Sequence, residues 1–467
     1  MASMHVWDGE TDLFAHSVIG YAVERLKLPK DPTWGASPAD ELAAALAGAV
    51  LPNGAGAHEA LRLFRDVLMP ACRPMDDPLN LAYVPTAPSL AATMFDLVVS
   101  SASIFGGNWE AGAGAIAAEN QAIRWLADLA GLPATAGGVF LPGGSAVNLS
   151  ALATARTVYT DRCGRPRRFT VAATEEVHAS VRAAARVMDI DVLAVPIDGR
   201  GRMTGVALQA ALTGDAADGV FAVVATGGTT NAGAIDDLDG IADVCADRGI
   251  WLHVDGAYGL AALASPIGRE RLRGIDRVDS FGVDPHKWLF APYDCAALVY
   301  RDPSPAAETH AQHGNYLDAV DRGEWNPSDY AYHLSRRARG LPLWFSLVTY
   351  GTQAYADAID ASLHSAAAFA AEVDRRDGFR LLLEPELSVV LFTCDGWTRE
   401  MYLQWSRERA RAGRWLVVPT TWQGQPCLRI CLVNPRTDRA DLFAILDDLE
   451  TTFGGDTVSP SGPSNPM

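Results

Sequence analysis

Two short runs hold the residues of this 467-residue chain whose types could do chemistry together: Asp284-Pro-His-Lys-Trp288 and Leu252-His-Val-Asp-Gly-Ala-Tyr258. Lys287 offers an amine. Partial burial lowers a lysine's pKa and so supplies the neutral form that adds to a carbonyl as a Schiff base. Asp255 offers a carboxylate that can keep a pyridine nitrogen protonated, and a protonated ring accepts the electrons left when a bond to Cα breaks. Pyridoxal 5′-phosphate (PLP) chemistry needs both groups. Each residue alone has a plainer reading. A single lysine after a histidine is more often a surface residue at a strand end. His253 and Asp255, on one face of a strand, could be half of a metal site, although no second ligand pair of metal-site spacing accompanies them.

Other motifs point the same way. Pro142-Gly-Gly-Ser-Ala-Val-Asn148 follows the apolar stretch Gly138-Val-Phe-Leu141 and opens a helix. Glycines let backbone approach an anion, and a helix N-terminus turns N–H groups toward it. Ser145 can cap that helix, donate to a phosphate, or both; a plain capped turn is the duller reading. The run is neither the Gly-x-Gly-x-x-Gly of a dinucleotide fold nor a Walker loop. His178, in Thr174-Glu-Glu-Val-His-Ala-Ser180, stands at a helix start, where a histidine is commonly a cap or a surface residue. Thr226-Gly-Gly-Thr-Thr230 reads by itself as a strand-end turn. Ala257 is small enough to lie against a flat ring. Residues 303–333 are polar, rich in Pro, Gly and His, and read as a mobile loop carrying Tyr316, which could simply pack that loop down.

The paired context of Lys287 and Asp255 resembles the fold-type I, group II PLP-dependent amino-acid decarboxylases, which include the aromatic-L-amino-acid and glutamate decarboxylases. The resemblance covers roughly residues 60–455 and is strongest at 253–288. It implies PLP as cofactor, with Lys287 as its covalent anchor and Asp255 at the ring nitrogen. His178 would stack on the ring opposite Ala257, and Thr230 would help position it. Gly144, Ser145 and Asn148 would form the phosphate loop, and His286 would join the cofactor site. Some relatives carry Asn where this chain has Asp284. An ionised aspartate would repel a phosphate unless paired, so Asp284 is not counted among the phosphate ligands.

The same resemblance makes Tyr316, in Asn315-Tyr316-Leu317, the acid that returns a proton to Cα after CO2 leaves. Plant aldehyde synthases similar to this family tend to carry Phe there, so Tyr316 favours decarboxylation over oxidative deamination. Leu81-Ala-Tyr-Val-Pro-Thr86 resembles a segment lining the side-chain pocket, with Tyr83, Pro85 and Thr86 suited to an apolar, aromatic guest. Ser103-Ile-Phe-Gly-Gly-Asn-Trp109 resembles a second pocket segment, with Phe105 and Trp109, supplied by a partner subunit. Gly107 falls where aromatic relatives often have a bulky residue, which would enlarge or reshape the pocket. Both segments read equally well as core and interface packing. The implied assembly is a homodimer with active sites at the interface and N-terminal helices wrapped on the neighbour. The expected activity is decarboxylation of an L-amino acid with an aromatic side chain to the corresponding amine and CO2. The rivals are an aldehyde synthase or carbon–carbon lyase and, outside catalysis, a degenerate PLP-fold binding subunit, against which intact Lys287, Asp255 and His178 argue.

These residues need a scaffold. Short apolar runs at Phe169–Ala173, Val192–Pro196, Val220–Ala225, Ile250–Val254, Ser280–Val283 and Ala296–Tyr300 read as buried strands, separated in several cases by helices at 147–160, 178–188, 205–213 and 236–248. That alternation predicts an α/β fold with a mostly parallel sheet, whose ligands bind at the carboxyl ends of the strands. The resemblance specifies the PLP-dependent transferase (aspartate aminotransferase-like) fold: a large domain with a seven-stranded sheet and a small C-terminal α+β domain. Residues 110–131 read as a long helix stopped by Gly131. Residues 11–75 read as helices broken by Pro29, Pro32, Pro38 and Pro52. A helix at 351–375 would lead to strands near Leu387–Thr393 and Cys427–Val433 and a last helix at 439–452. The expected division is a helical segment at 1–85, a PLP-binding domain at 86–350, a small domain at 351–454 and a disordered tail at 455–467.

Composition bounds the rest. The chain is 49% hydrophobic and 20% charged, ordinary for a soluble enzyme. A net charge of −18 argues against a nucleic-acid partner and leaves a small amino-acid substrate open. Seven dispersed cysteines with no Cys-x-x-Cys pair read as reduced thiols in a cytoplasm. The start lacks a basic region followed by an apolar run, and no stretch is apolar enough for a membrane span, so neither export nor a membrane is expected.

Overall fold

The computed structural model describes residues 4–27, 31, 33–312, 314 and 323–455. Seven strands form the main sheet: β1 (Gly137–Leu141), β2 (Thr170–Ala173), β3 (Asp191–Ala194), β4 (Val220–Thr226), β5 (Trp251–Asp255), β6 (Ser280–Val283) and β7 (Ala296–Tyr300). Their order is β1-β7-β6-β5-β4-β2-β3. β3, β2, β4, β5 and β6 are parallel, and β7 runs antiparallel to both β6 and β1. The expected α/β fold with its mostly parallel sheet is present. The antiparallel β7 and the strand character of β1 were not legible, because a run of five buried residues carries no sign of its direction.

All five residues of β7 are buried. Ala297 and Val299 enter one core, whereas Ala296, Leu298 and Tyr300 enter another. Alternate residues face opposite sides of a sheet, so both faces here are covered. The helices Gly144–Cys163 and Leu238–Arg248 pack on the sheet, and the expected spans need only small changes at their ends. The helix Trp109–Leu129 buries Ile116, Ile123 and Leu126, the positions its period singled out.

A second sheet is antiparallel, in the order β10-β11-β9-β8, from β8 (Phe379–Leu381), β9 (Val389–Cys394), β10 (Val418–Trp422) and β11 (Gln425–Cys431). β8 and β10 were missed: β8 has three residues, and β10 is only partly buried. The last helix, Arg439–Gly455, closes this core with Leu442, Ile445, Leu446 and Leu449, a helical stripe fully removed from solvent. One helix, Leu341–Arg375, spans the expected domain boundary and breaks at Gly351, whose φ of +75° is a left-handed value. The stretch expected to be a polar loop from 303 onward begins as a helix, Ser304–His310, started by Asp302 accepting from the Ser304 N–H at 3.0 Å. Seven residues are too few for a helical period to show. Tyr316 and the C-terminal tail from residue 456 lie outside the described residues.

A buried ion pair ties the helix Trp109–Leu129 to the segment before Leu341. Arg336 donates to both carboxylate oxygens of Glu119, at 2.7 and 2.8 Å, and to the carbonyl of Gly106 at 2.7 Å. The Gly340 N–H also donates to Glu119. Removing one partner leaves the other charge buried alone, so Glu119→Ala is expected to cost about 3–5 kcal/mol in urea unfolding, and Glu119→Ala combined with Arg336→Met should recover much of it.

Candidate active site

Sheet order brings the motifs together. Thr226 at the end of β4 pairs in register with Asp255 at the end of β5, and Asp255 pairs with Gly282 of β6. Asp284 and Lys287 follow β6 directly. β1 points the same way as the parallel strands, so Pro142–Ser145 emerges at the same edge. β7 is antiparallel, so the segment entering it, with Tyr293, starts there too. The result is a cleft of about 310 Å3 whose wall includes Gly144, Ser145, His178, Thr230, Asp255, Ala257, His286 and Lys287. Eight of the expected cofactor residues therefore share one cavity.

Asp255 is buried. Its Oδ2 accepts from Asn148 Nδ2 at 2.8 Å, and its Oδ1 accepts from the Ala257 N–H at 3.2 Å. Asn148 thus sits behind the cleft rather than in it. The two hydrogens on its amide nitrogen go to Asp255 and Ser180, which corrects its expected place among phosphate contacts. Both ring nitrogens of His253 are engaged, by Asn148 and Ser280, which removes them from the metal pairing with Asp255 that the strand face allowed. Lys287 Nζ lies 3.1 Å from Asp284 Oδ2, and Asp284 is itself only 3% exposed. The pairing that would spare a phosphate from this carboxylate is thus made by the lysine of the same motif. His286 is also buried. Its Nδ1 meets the Cys295 carbonyl at 2.7 Å, and burial pushes its pKa down.

No side chain caps the 20-residue helix that starts at Gly144; Gly143 occupies the cap position, and the capping role considered for Ser145 is not taken up. His178 does cap the helix Ala179–Met188, its Nδ1 accepting from the Ser180 N–H, while it also lines the cleft. The cap and the site are the same residue. Thr230 presents its carbonyl to Arg429, whose guanidinium also donates to the carbonyl of Tyr83 at 2.6 Å.

The expected substrate-pocket residues stand elsewhere. Tyr83 is 60% exposed with φ of +58°, Pro85 is buried, and neither lines this cleft. Thr86 lines a larger, mostly apolar cleft of about 720 Å3 beside it, with Phe290, Tyr293 and Tyr355. Phe105 and Trp109 also lie off the Lys287 cleft of their own chain, and the Trp109 N–H is fixed by Asn326 at 2.9 Å. Gly107 opens no cavity here: a Cβ would stand 2.5 Å from the Phe105 ring and 2.6 Å from the Leu334 carbonyl. The sequence reading missed Thr226, Tyr258 and Tyr293 in the cleft wall. Tyr293 borders both clefts and packs on His286 at 4.8 Å between ring centroids. No motif marks it; its place comes from the antiparallel β7.

The model of the pyridoxal-dependent decarboxylase conserved domain matches residues 52–395. The chain belongs to this family. It is 31% identical over 409 residues to an aromatic-L-amino-acid decarboxylase of Bacillus atrophaeus, covering 84% of this chain and 85% of that one. It is 32% identical over 389 residues to an L-2,4-diaminobutyrate decarboxylase of Rhizobium meliloti (strain 1021), covering 80% and 78%. The crystal structure of Oryza sativa TDC with PLP and tryptamine superposes with a TM-score of 0.90 at 24% identity, covering 97% of this chain and 99% of that one. The protein is a PLP-dependent decarboxylase, hence a lyase.

Its cleft fits that cofactor. Asp284 Oδ1 and Thr226 Oγ1 are buried and, among the described residues, have no hydrogen-bond partner. Gly144 has bare backbone where a Cβ would stand 3.3 Å from both Asp284 Oδ2 and Ala257 Cβ, so any side chain would narrow the cavity at the helix start. A buried carboxylate, a cleft-facing amine and an uncapped helix N-terminus match the ring nitrogen, aldehyde and phosphate of PLP in chemical type.

Proposed function

We propose that this enzyme decarboxylates an aromatic L-amino acid to the corresponding amine and CO2. The observation that carries this reading is the meeting of Lys287, Asp255 and His178 in one cleft, in a chain similar over most of its length to an aromatic-L-amino-acid decarboxylase. The adjoining apolar cleft, bordered by Phe290, Tyr293 and Tyr355, supports an aromatic guest. When bound, PLP supplies a ring that takes up the electron pair released at Cα. Lys287 would hold it covalently, Asp255 would keep a proton at its ring nitrogen, and Gly144 and Ser145 would face its phosphate. Ala257 and His178 would bear on its ring, and His286 and Thr230 would complete its surroundings. A panel of L-amino acids, scored for amine and CO2, tests the reading. Turnover of diaminobutyrate or an acidic substrate, with none of Trp, Tyr or DOPA, would overturn the aromatic assignment.

Tyr316 is proposed, from the sequence, as the acid that delivers a proton to Cα. Tyr316→Phe keeps the ring and removes that proton. Amine yield should fall by about 10²–10⁴-fold, while aldehyde, ammonia and peroxide rise in the presence of oxygen. Unaltered amine yield would remove Tyr316 from the reaction and leave it a packing role.

We further propose a cytoplasmic homodimer, with domain boundaries near residues 85 and 350. Leu90, Met94, Leu97 and Val98 leave an apolar face exposed on one helix, which supports burial against a second copy. Among the described residues, no helix is long and apolar enough to cross a membrane. Sedimentation of the purified protein tests the assembly.

A further inference from the structure

Behind Asp255 a polar network runs from Trp251 to His178, and its inner members His253, Asn148, Ser180 and Ser280 are buried and stand outside the wall of the Lys287 cleft. Trp251, His253 and Asp255 alternate along β5 and so share one face. Trp251 Nε1 donates to Ser280 Oγ at 2.9 Å, and Ser280 Oγ lies 2.9 Å from His253 Nδ1. His253 Nε2 lies 3.0 Å from Asn148 Oδ1. Asn148 Nδ2 donates to Asp255 Oδ2 at 2.8 Å and to Ser180 Oγ at 2.9 Å. Ser180 Oγ lies 2.8 Å from His178 Nδ1.

Donor chemistry gives this chain one direction. An indole N–H can only donate, so Ser280 accepts from Trp251 and keeps its own hydrogen free for His253 Nδ1. Full burial drives the His253 pKa down to about 4, so the ring is neutral and its one proton sits on Nε2. That proton goes to Asn148 Oδ1. An ionised carboxylate can only accept, which demands the same amide orientation from the other end. The reversed amide would set its oxygen against the Asp255 carboxylate and its N–H2 against His253 Nε2–H. With the amide so held, Ser180 accepts from Asn148 and donates to His178 Nδ1, which also accepts the Ser180 N–H at 3.3 Å. In neutral His178 the proton is then left on Nε2.

We propose that His253 is a positioning residue that orients the Asn148 amide, and through it both secures the Asp255 carboxylate and sets the His178 tautomer with a donor Nε2–H. The proposal rests on the reading that PLP and substrate bind between Asp255 and His178, and it adds the group that coordinates the two. A histidine two residues before the aspartate is thereby needed for its nitrogens, not for its bulk.

The test uses the holoenzyme with His253→Phe, which keeps a flat ring without nitrogens, and His253→Gln, which restores a donor and an acceptor. The readouts are kcat and KM, PLP content, and ¹⁵N resonances of His178 in histidine-labelled protein, assigned with a His178→Gln control. The expected result for His253→Phe is one PLP per chain, a kcat loss of about 10- to 100-fold with KM nearly unchanged, and loss of the single Nε2–H signature of His178. His253→Gln should return most of the kcat and the signature. Wild-type kcat with an unchanged signature in His253→Phe overturns the proposal. If His253→Phe does not fold, His253→Gln decides: wild-type-like signature and rate support the proposal, and a folded, PLP-loaded protein lacking the signature overturns it. Borohydride labelling of Lys287 in the wild-type sample reports separately on the PLP reading, since the His178 tautomer is observed whether or not that lysine carries the cofactor.

Discussion

Lys287→Ala should lose turnover by on the order of 10⁴-fold or more, the scale at which removal of a group that forms a covalent intermediate is felt. In the wild-type holoenzyme, borohydride reduction followed by peptide mapping should label Lys287 and no other lysine; label elsewhere would sink the assignment. A second consequence comes from the structure. Lys287 Nζ is the cation 3.1 Å from the buried Asp284 carboxylate, so the alanine variant strands a negative charge. It should be destabilised by up to about 3 kcal/mol relative to wild type, less than for a fully buried pair because Lys287 is partly exposed. Lys287→Ala combined with Asp284→Asn should regain that stability and none of the turnover. A double variant that recovers activity would show that the lysine serves only to neutralise Asp284.

Asp255→Asn should cut kcat by roughly 10²–10³-fold with KM changed little, because a charge at the ring nitrogen matters most in the transition state. The fold should survive. An asparagine at 255 can still accept from Asn148 through its own oxygen, while its amide nitrogen then faces the Ala257 N–H and leaves that one donor without its acceptor, at a cost of about 1–3 kcal/mol. A thermal melting loss no larger than that, alongside the kinetic loss, separates this electrostatic role from a packing one. Near-normal kcat would show that another group keeps the ring protonated.

Several features were readable in the residues because their causes are local. In a sheet of parallel strands, whatever follows a strand lands at its carboxyl edge. Asp255 ends β5 and Lys287 lies one short turn past β6, so their placement needed only the strand ends. The Gly-rich run at 142–145 opens a helix for reasons contained in its own composition. The long helix at 109–129 shows its buried face in its period. Pocket residues were less legible. Tyr83, Phe105 and Trp109 were placed by resemblance, and in their own chain they stand away from the cleft that holds Lys287.

By itself, then, the sequence determined the class of fold, through short-range patterns and strand-to-loop geometry, and the cofactor, through the motifs that carry the family resemblance. Tertiary structure alone decided what those residues touch. Asn148 reaches Asp255 across 107 positions and His253 across 105. Such partners depend on which strand lies beside which and on how closely a helix packs over them, and no local pattern encodes either. The direction of β7 likewise placed Tyr293 between two clefts without leaving a motif. Hydrogen bonds form only within about 3 Å, so the wiring of the site waits on the packing of the whole sheet.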